Sequence, residues 1–202
     1  MNILAIDTST QQASIALGNE QHLQSVLLDS NLVHSQTLLP AIEKHCDLSQ
    51  IQALAFNLGP GAFTGLRHSA ASIQALALAL NVPIFGVLSV WAMALPFLKE
   101  NQTVNVFLDA RMNQVYCATF KGFQLKTNAH LQDISNLTSF EQSHTLCIGN
   151  VHLPFVQYQQ VQAQNVARAV FLGFAQTLTP ENALPVYVRN KVAQTILERK
   201  QC

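Results

Sequence analysis

The sequence predicts an α/β protein made of two related halves, and three observations predict it. Apolar runs of strand length alternate with helical runs along residues 1–100. A glycine-rich turn, "NLGPGAFTGLRH" at 57–68, joins one such strand to an alanine- and leucine-rich run. The opening "MNILAIDTSTQQASIALGN" also finds a counterpart in "VNVFLDARMNQVYCATFKG", with Asp7 laid on Asp109, Gln12 on Gln114 and Ala16 on Ala118. Each copy reads as an apolar strand, an acid at its end, a short turn and a return strand.

In order, "NILAID" is a buried strand, "ASIALG" a second and "HLQSVLLD" a third. Residues 34–46 place Leu38, Leu39, Ile42 and Cys46 on one helical face, with Glu43 and Lys44 off it. Pro40 marks the first turn of that helix or bends it. "IQALAFN" is a buried strand, and the glycine turn launches a helix to about Leu80. Asn81–Pro83 ends it, "PIFGVL" is another strand and "SVWAMALPFL" a further helix. The halves meet near Asn101, which gives an N-terminal lobe over 1–100 and a shorter C-terminal lobe over 101–202, with a cleft between the two aspartates. The second lobe holds a strand near "TLCIGN" and a helix over about 163–178. Its polar tail is expected to be helical and to pack back on the first lobe.

The chain has 202 residues, 49% of them hydrophobic and 11% charged, a globular composition with enough apolar mass for a real core. Net charge is zero, with a −3 balance in residues 1–100 (three basic, six acidic) and +3 in the remainder (eight basic, five acidic). That field is too weak to grip a nucleic acid through phosphates alone. Cys46, Cys117, Cys147 and Cys202 are widely spaced, as expected of a reduced cytoplasmic chain. "MNILAID" lacks a basic n-region, so no signal peptide is expected, and the apolar runs are shorter than a membrane span.

The glycine turn fails two nucleotide patterns. A phosphate-binding P-loop requires a lysine after its last glycine, whereas Leu66 and Arg67 follow Gly65. The dinucleotide fingerprint fits Gly59 and Gly61 but meets Thr64 at its third glycine, and there is no acid between Asp47 and Glu100. Two roles stay open: a tight strand-to-helix connection, or helix-terminal N–H groups that attract an anion. Asp7 with Thr8, Ser9 and Thr10 is either a strand-end cap or a phosphate or metal site in a two-lobed cleft. The helix beyond the turn is apolar nearly all round, so it is a central core helix or lies half in the core and half in an interface. His34, His45, His68, His130, His144 and His152 form no i, i+3 or i, i+4 pair, and His22 sits in a strand, so no metal site is expected. There is no G-x-S-x-G, and Cys46 falls on an apolar face.

Taken together, "ILAIDTS", "HSQTLLPAI", "GPGAFTGLR", "LDARMNQVY" and "LPVYVRNKVA" resemble the TsaB (YeaZ) family from end to end. Ala62 stands where the family often has Ser. The resemblance implies an actin/Hsp70/sugar-kinase-like (ASKHA) fold of two RNase H-like lobes, the second shortened. It implies a non-catalytic subunit that supports TsaD, the transferase that places a threonylcarbamoyl group on adenosine beside the tRNA anticodon. TsaD carries a metal-binding His-x-x-x-His on the matching helix; here His34 fills the first place and Leu38 the second, so no metal is implied. The implied partners are TsaD, the ATPase TsaE, a second copy of the chain when alone, and tRNA only through the complex. No cofactor is implied beyond ATP and Mg at the junction with TsaD. The implied interface is His34, Leu38, Leu39, Ile42, Arg67, Ala71, Ala75 and Leu76. Asp7, Thr8, Ser9, Gly59, Gly61 and Asp109 would mark a vestigial nucleotide site. The alternatives are an actin-like kinase or ATPase with both aspartates facing Mg-ATP, and a protease.

Overall fold

A computed structural model describes residues 1–29, 34–143 and 145–189. In chain order the elements are β1 (Ile3–Asp7), β2 (Ser14–Gly18), β3 (Leu23–Leu27), α1 (His34–His45), β4 (Ala53–Gly59), α2 (Phe63–Leu80), β5 (Ile84–Leu88) and α3 (Ser89–Ala94). There follow β6 (Thr103–Asp109), β7 (Gln114–Lys121), β8 (Gln124–Asp133), α4 (Thr138–Glu141), β9 (Leu146–Gly149), β10 (Gln157–Tyr158), α5 (Ala163–Phe171) and β11 (Gln176–Leu178).

The two sheets follow one plan. In each, three strands meander antiparallel, the fourth runs parallel beside the first and the fifth parallel beside the fourth. The orders are β3-β2-β1-β4-β5 and β8-β7-β6-β9-β10, and β11 extends the first sheet antiparallel to β5. This is the RNase H-like order, used twice, and the molecule has the ASKHA-like fold. The repeat seen in the sequence is thus two matching hairpins, with one adjustment. Laying Asp7 on Asp109 puts Ser14 on Tyr116, but Asp7 faces Ser14 while Asp109 faces Val115. The second turn is one residue shorter, so the return strands match one residue out of the sequence alignment.

Alternation along β1 explains the layers. Leu4 and Ile6 face outward with Leu54, Phe56 and Leu58, under α1 and α2 (Leu38, Ile42, Ala70, Ile73, Ala77). Ile3 and Ala5 face inward with Ala16, Ala53 and Ala55, onto α3, α5 and the inner face of the second sheet (Val104, Val106, Phe120). The alanines on that face let α5 approach closely through Ala163, Ala167 and Ala169. The two lobes therefore share one core. Trp91 of α3 shows this directly: it stacks on Phe174 at 4.1 Å and meets the edge of Phe120 at 4.8 Å.

The helix expected over 163–178 ends at Phe171. Gly173 sits at φ +79, its N–H donating to the Val170 carbonyl, and Phe174 N–H reaches back to Ala169 at 2.8 Å. That is a glycine-terminated Schellman end, and residues 176–178 then join the sheet. The helix expected over 89–98 is α3 followed by a 3-10 turn at Leu95–Phe97, because Pro96 cannot extend the α-helical ladder. Pro40 does lie inside α1. The expected helical tail beyond 189 lies outside the described residues.

Candidate functional site: the inter-lobe cleft and the paired-helix face

The end of β1 is tied to the glycine turn by a buried polar network. Asp7, Thr8 and Asn57 are fully buried. Asn57 Nδ2 donates to Asp7 Oδ1 at 2.8 Å and to Ser9 Oγ at 2.9 Å, while its Oδ1 accepts from Gly59 N–H at 2.9 Å and Ser89 Oγ at 2.6 Å. All four hydrogen-bonding positions of that amide are used. Thr8 Oγ1 donates to the Gly65 carbonyl at 2.6 Å and meets the Ser69 hydroxyl, which pins the first turn of α2 to the strand end. The Ala62 N–H donates to the Ser9 carbonyl at 2.9 Å. Gly61 is required by this approach: a Cβ there would lie 2.9 Å from Ser9 Cβ and 3.0 Å from its carbonyl oxygen. Gly59 has φ +102 and precedes Pro60 through a cis peptide bond.

A cleft of about 550 Å³ lies between the lobes. The sequence expects it to be flanked by both aspartates, but Asp109 lines it and Asp7 does not. Of the six residues predicted for a nucleotide site, Ser9, Gly61 and Asp109 reach the cleft, whereas Asp7, Thr8 and Gly59 lie beneath it. Asp109 Oδ1 accepts from the Arg111 N–H at 2.7 Å, Oδ2 pairs with Arg111 Nε at 3.3 Å, and Asp109 N–H donates to Asn150 Oδ1 at 2.7 Å. Arg111, Met112 and Asn113 all take positive φ, a run of left-handed residues that L-amino acids rarely hold. On the cleft rim His152 stacks on Tyr158 at 4.5 Å.

The chain segment 184–189 crosses the cleft mouth without helical structure, whereas the sequence expects a helical tail on the first lobe and does not foresee this crossing. Val186 N–H donates to Leu58 C=O at 2.8 Å. The Tyr187 ring lies 5.4 Å from Phe63, and its hydroxyl accepts from Arg67 Nε at 3.1 Å. The Arg67 guanidinium lies 3.8 Å over the Phe63 ring. Arg189 then reaches the second lobe, its Nη2 donating to Ala110 C=O at 2.9 Å and Gln114 Oε1 at 2.7 Å, and its Nη1 to Met112 Sδ at 2.8 Å. Alternation in "PVYVR" is the signal that could have found it, with Tyr187 and Arg189 pointing to one side.

The second surface is the outer face of α1 and α2. Leu38 and Ile42, predicted to meet a partner, are core residues at 2% exposure, turned onto the sheet beneath. Their place on the surface is taken by Leu39, which is 55% exposed. On α2, Leu66, Ala70, Ile73 and Ala77 are buried at helical spacing, while Arg67, Ala71 and Ala75 face outward and Leu76 is half-buried. Leu78, not singled out in the sequence, is 70% exposed on the same side. His34 opens α1, and its side chain lies outside the described residues. Between α1 and α2 lies a hollow of about 520 Å³.

Burial pushes the Cys117 thiol up to about 12, and burial with the neighbouring Asp47 charge raises that of Cys46. Two hydrogen bonds from Ser49 hold the exposed Asp47 carboxyl below its usual range. Among the described residues no group of three or more His, Cys, Asp or Glu is placed to hold a metal ion. No described helix is long and apolar enough to cross a membrane.

The family model of TsaD, tRNA N6-adenosine threonylcarbamoyltransferase, matches residues 30–145. The tRNA threonylcarbamoyladenosine biosynthesis protein TsaB of Haemophilus influenzae is 36% identical over 126 residues, 57% of this chain and 52% of that protein. The Escherichia coli protein of the same name is 36% identical over 128 residues, 60% and 55% of the two chains. The chain thus aligns with about half the length of these relatives. The solved structure of YeaZ from Pseudomonas aeruginosa superposes with a TM-score of 0.75 at 26% identity, covering 92% of this chain and 99% of that one.

Proposed function

This chain belongs to the TsaB (YeaZ) family, and from that premise we propose that it serves threonylcarbamoyladenosine formation in tRNA as the non-catalytic partner of a TsaD-type transferase. The observation that carries the reading is the outer face of α1 and α2. Leu39, Ala71, Ala75 and Leu78 leave apolar surface exposed on adjacent helices. Small side chains at 71 and 75 let another helix come close, and a patch of this kind on a low-charge protein fits a subunit contact. TsaD would supply the chemistry, TsaE would join the pair, and tRNA would be held by the assembly. ATP and Mg, where required, would sit at the junction with TsaD. In the absence of TsaD the same face would pair with a second copy.

Co-purification with the TsaD of the same host tests the reading. The wild-type chain is expected to co-elute, and Ala75→Arg to weaken capture at least tenfold while its melting temperature stays near wild type. Alone with tRNA and the threonylcarbamoyl donor, the chain is expected to form no product. An intact complex with the Ala75→Arg variant, or turnover by the isolated chain, would overturn the reading.

A further inference from the structure

Residues 186–189 lie across the inter-lobe cleft much as a ligand would, and little holds them there. Val186 is 38% and Tyr187 47% exposed. Among the described residues, the one main-chain hydrogen bond from this segment to a sheet is Val186 N–H to Leu58 C=O. Val188 packs half-buried on the shared core, and side chains make the remaining ties at the two ends. On the first lobe the Arg67 guanidinium sits between two rings, 3.8 Å from the Phe63 centroid and 5.9 Å from that of Tyr187, and its Nε donates to the Tyr187 hydroxyl. On the second lobe the Arg189 fork holds Ala110 and Gln114, yet its Nε is buried with no hydrogen-bond partner, a cost that release would recover. A segment held by exposed side chains and one main-chain bond is of the kind that opens locally at small cost.

The place that Tyr187 fills is an aromatic slot with a cation at its edge: its ring meets Phe63 and its oxygen meets a guanidinium. The charged residues lining the adjoining cleft are Asp109, Arg111 and Arg189, and Asp109 is already paired with Arg111, so the lining favours an anion. We propose that residues 186–189 are a releasable strap. Fastened, Tyr187 occupies the slot and closes the cleft mouth; released, the slot and cleft take a small aromatic anion, its ring beside Phe63 and its charged group on Arg67. The strap is a tethered competitor for that ligand. Fastened nine-tenths of the time, it weakens the apparent affinity about tenfold. Every contact involved lies within one chain, so the strap stands whether or not the subunit role does.

The probe is 8-anilinonaphthalene-1-sulfonate, an aromatic anion, titrated by fluorescence into the full chain and its variants. N-phenyl-1-naphthylamine, its uncharged counterpart, is the control. Tyr187→Ser combined with Arg189→Ala frees both ends of the strap. That pair is expected to bind the anion about tenfold more tightly than wild type, with a much smaller gain for the neutral probe. Adding Arg67→Ala should return the anion's affinity to near the wild-type level, because its charge partner is gone. A second readout places the opening. Ala110→Cys puts a thiol on the cleft wall, and its alkylation by N-ethylmaleimide, read by peptide mass spectrometry, should quicken about tenfold once the strap is freed and slow again under saturating anion. The buried Cys117 and Cys147 should stay unreactive throughout. Equal anion affinity in wild type and the freed pair, an equal gain for the neutral probe, or affinity that survives Arg67→Ala would each overturn the proposal. Faster alkylation of Cys117 and Cys147 to the same degree would show that the segment belongs to the core, and would overturn it as well.

Discussion

The two lobes share a strand order and differ in their helices. Between its third and fourth strands the first lobe carries the 12-residue α1, and the second lobe the 4-residue α4. Between the fourth and fifth strands the first has the 18-residue α2, whereas the second crosses residues 150–156 without a helix and ends in a two-residue strand. One detail recurs in both. An asparagine late in or just past the fourth strand meets the aspartate at the end of the first, Asn57 donating to the Asp7 carboxylate and Asn150 accepting from the Asp109 N–H. In the first lobe this pair is sealed in the core; in the second Asp109 keeps 32% of its side-chain surface and faces the cleft. The comparison teaches that the sheet is the shared frame and the outer helices are what specialises a lobe. The lobe with long helices presents the surface proposed for a partner.

The strongest challenge to this picture is to ask whether the lobes are separable at all. Phe120 is a fully buried side chain of the second sheet, in edge contact with Trp91 of the first lobe's α3. Phe120→Ala is expected to cost about 3–5 kcal/mol through lost burial and the cavity left behind. Because the core runs through both sheets, the loss should appear as one lowered transition in urea, with the fluorescence of the sole tryptophan and far-UV circular dichroism coinciding. Two separated transitions would mean that the lobes fold as independent units.

The paired asparagines sharpen the comparison at smaller energy. Asn57→Ala strands the Gly59 N–H and the Ser89 hydroxyl in the core and removes a donor from Asp7, so about 2–4 kcal/mol of stability should be lost. Asn150→Ala removes one acceptor from the Asp109 N–H beside solvent, and about 0.5–1 kcal/mol should go. Chemical denaturation of both variants gives the ratio. Equal losses would show that burial is not what separates the two sites.

Much of this frame is legible in the sequence because its determinants are local. The apolar runs of β1, β4 and β6 and the acid-ended hairpins carry their own period, and the glycine turn announces α2. What escapes is set by distant packing. Leu38, Leu39 and Ile42 share an apolar helical face in the sequence, but only the sheet beneath decides that Leu38 and Ile42 are core and Leu39 is surface. Leu78 looks like any other leucine of an apolar helix, yet nothing within the described chain covers it. The end of α5 hangs on Gly173 taking a left-handed conformation that the flanking apolar residues do not signal. The crossing at 184–189 depends on contacts with Leu58, Phe63 and Ala110, all far away in sequence.

The finest contrast lies in the connections that leave the two aspartates. In the first lobe, residues 8–10 are buried and secured by Thr8 and Ser9 to the start of α2. The second lobe has no such helix, and its shorter turn holds three left-handed residues, each disfavoured by about 1–2 kcal/mol for an ordinary side chain. Arg189 takes the helix's place, with its fork on the Ala110 carbonyl, Met112 and Gln114. Arg189→Ala should therefore cost only about 1 kcal/mol overall, since the group is partly exposed and water replaces part of the bonding. The effect should be concentrated: amide hydrogen exchange at 110–114 is expected to quicken about fivefold, while residues 8–13 keep their protection. Arg189→Lys should restore little, because one ammonium cannot span donors fixed in a planar fork. If exchange at 110–114 does not change in Arg189→Ala, the turn holds itself, and the two lobes solve the same connection without help from the tail.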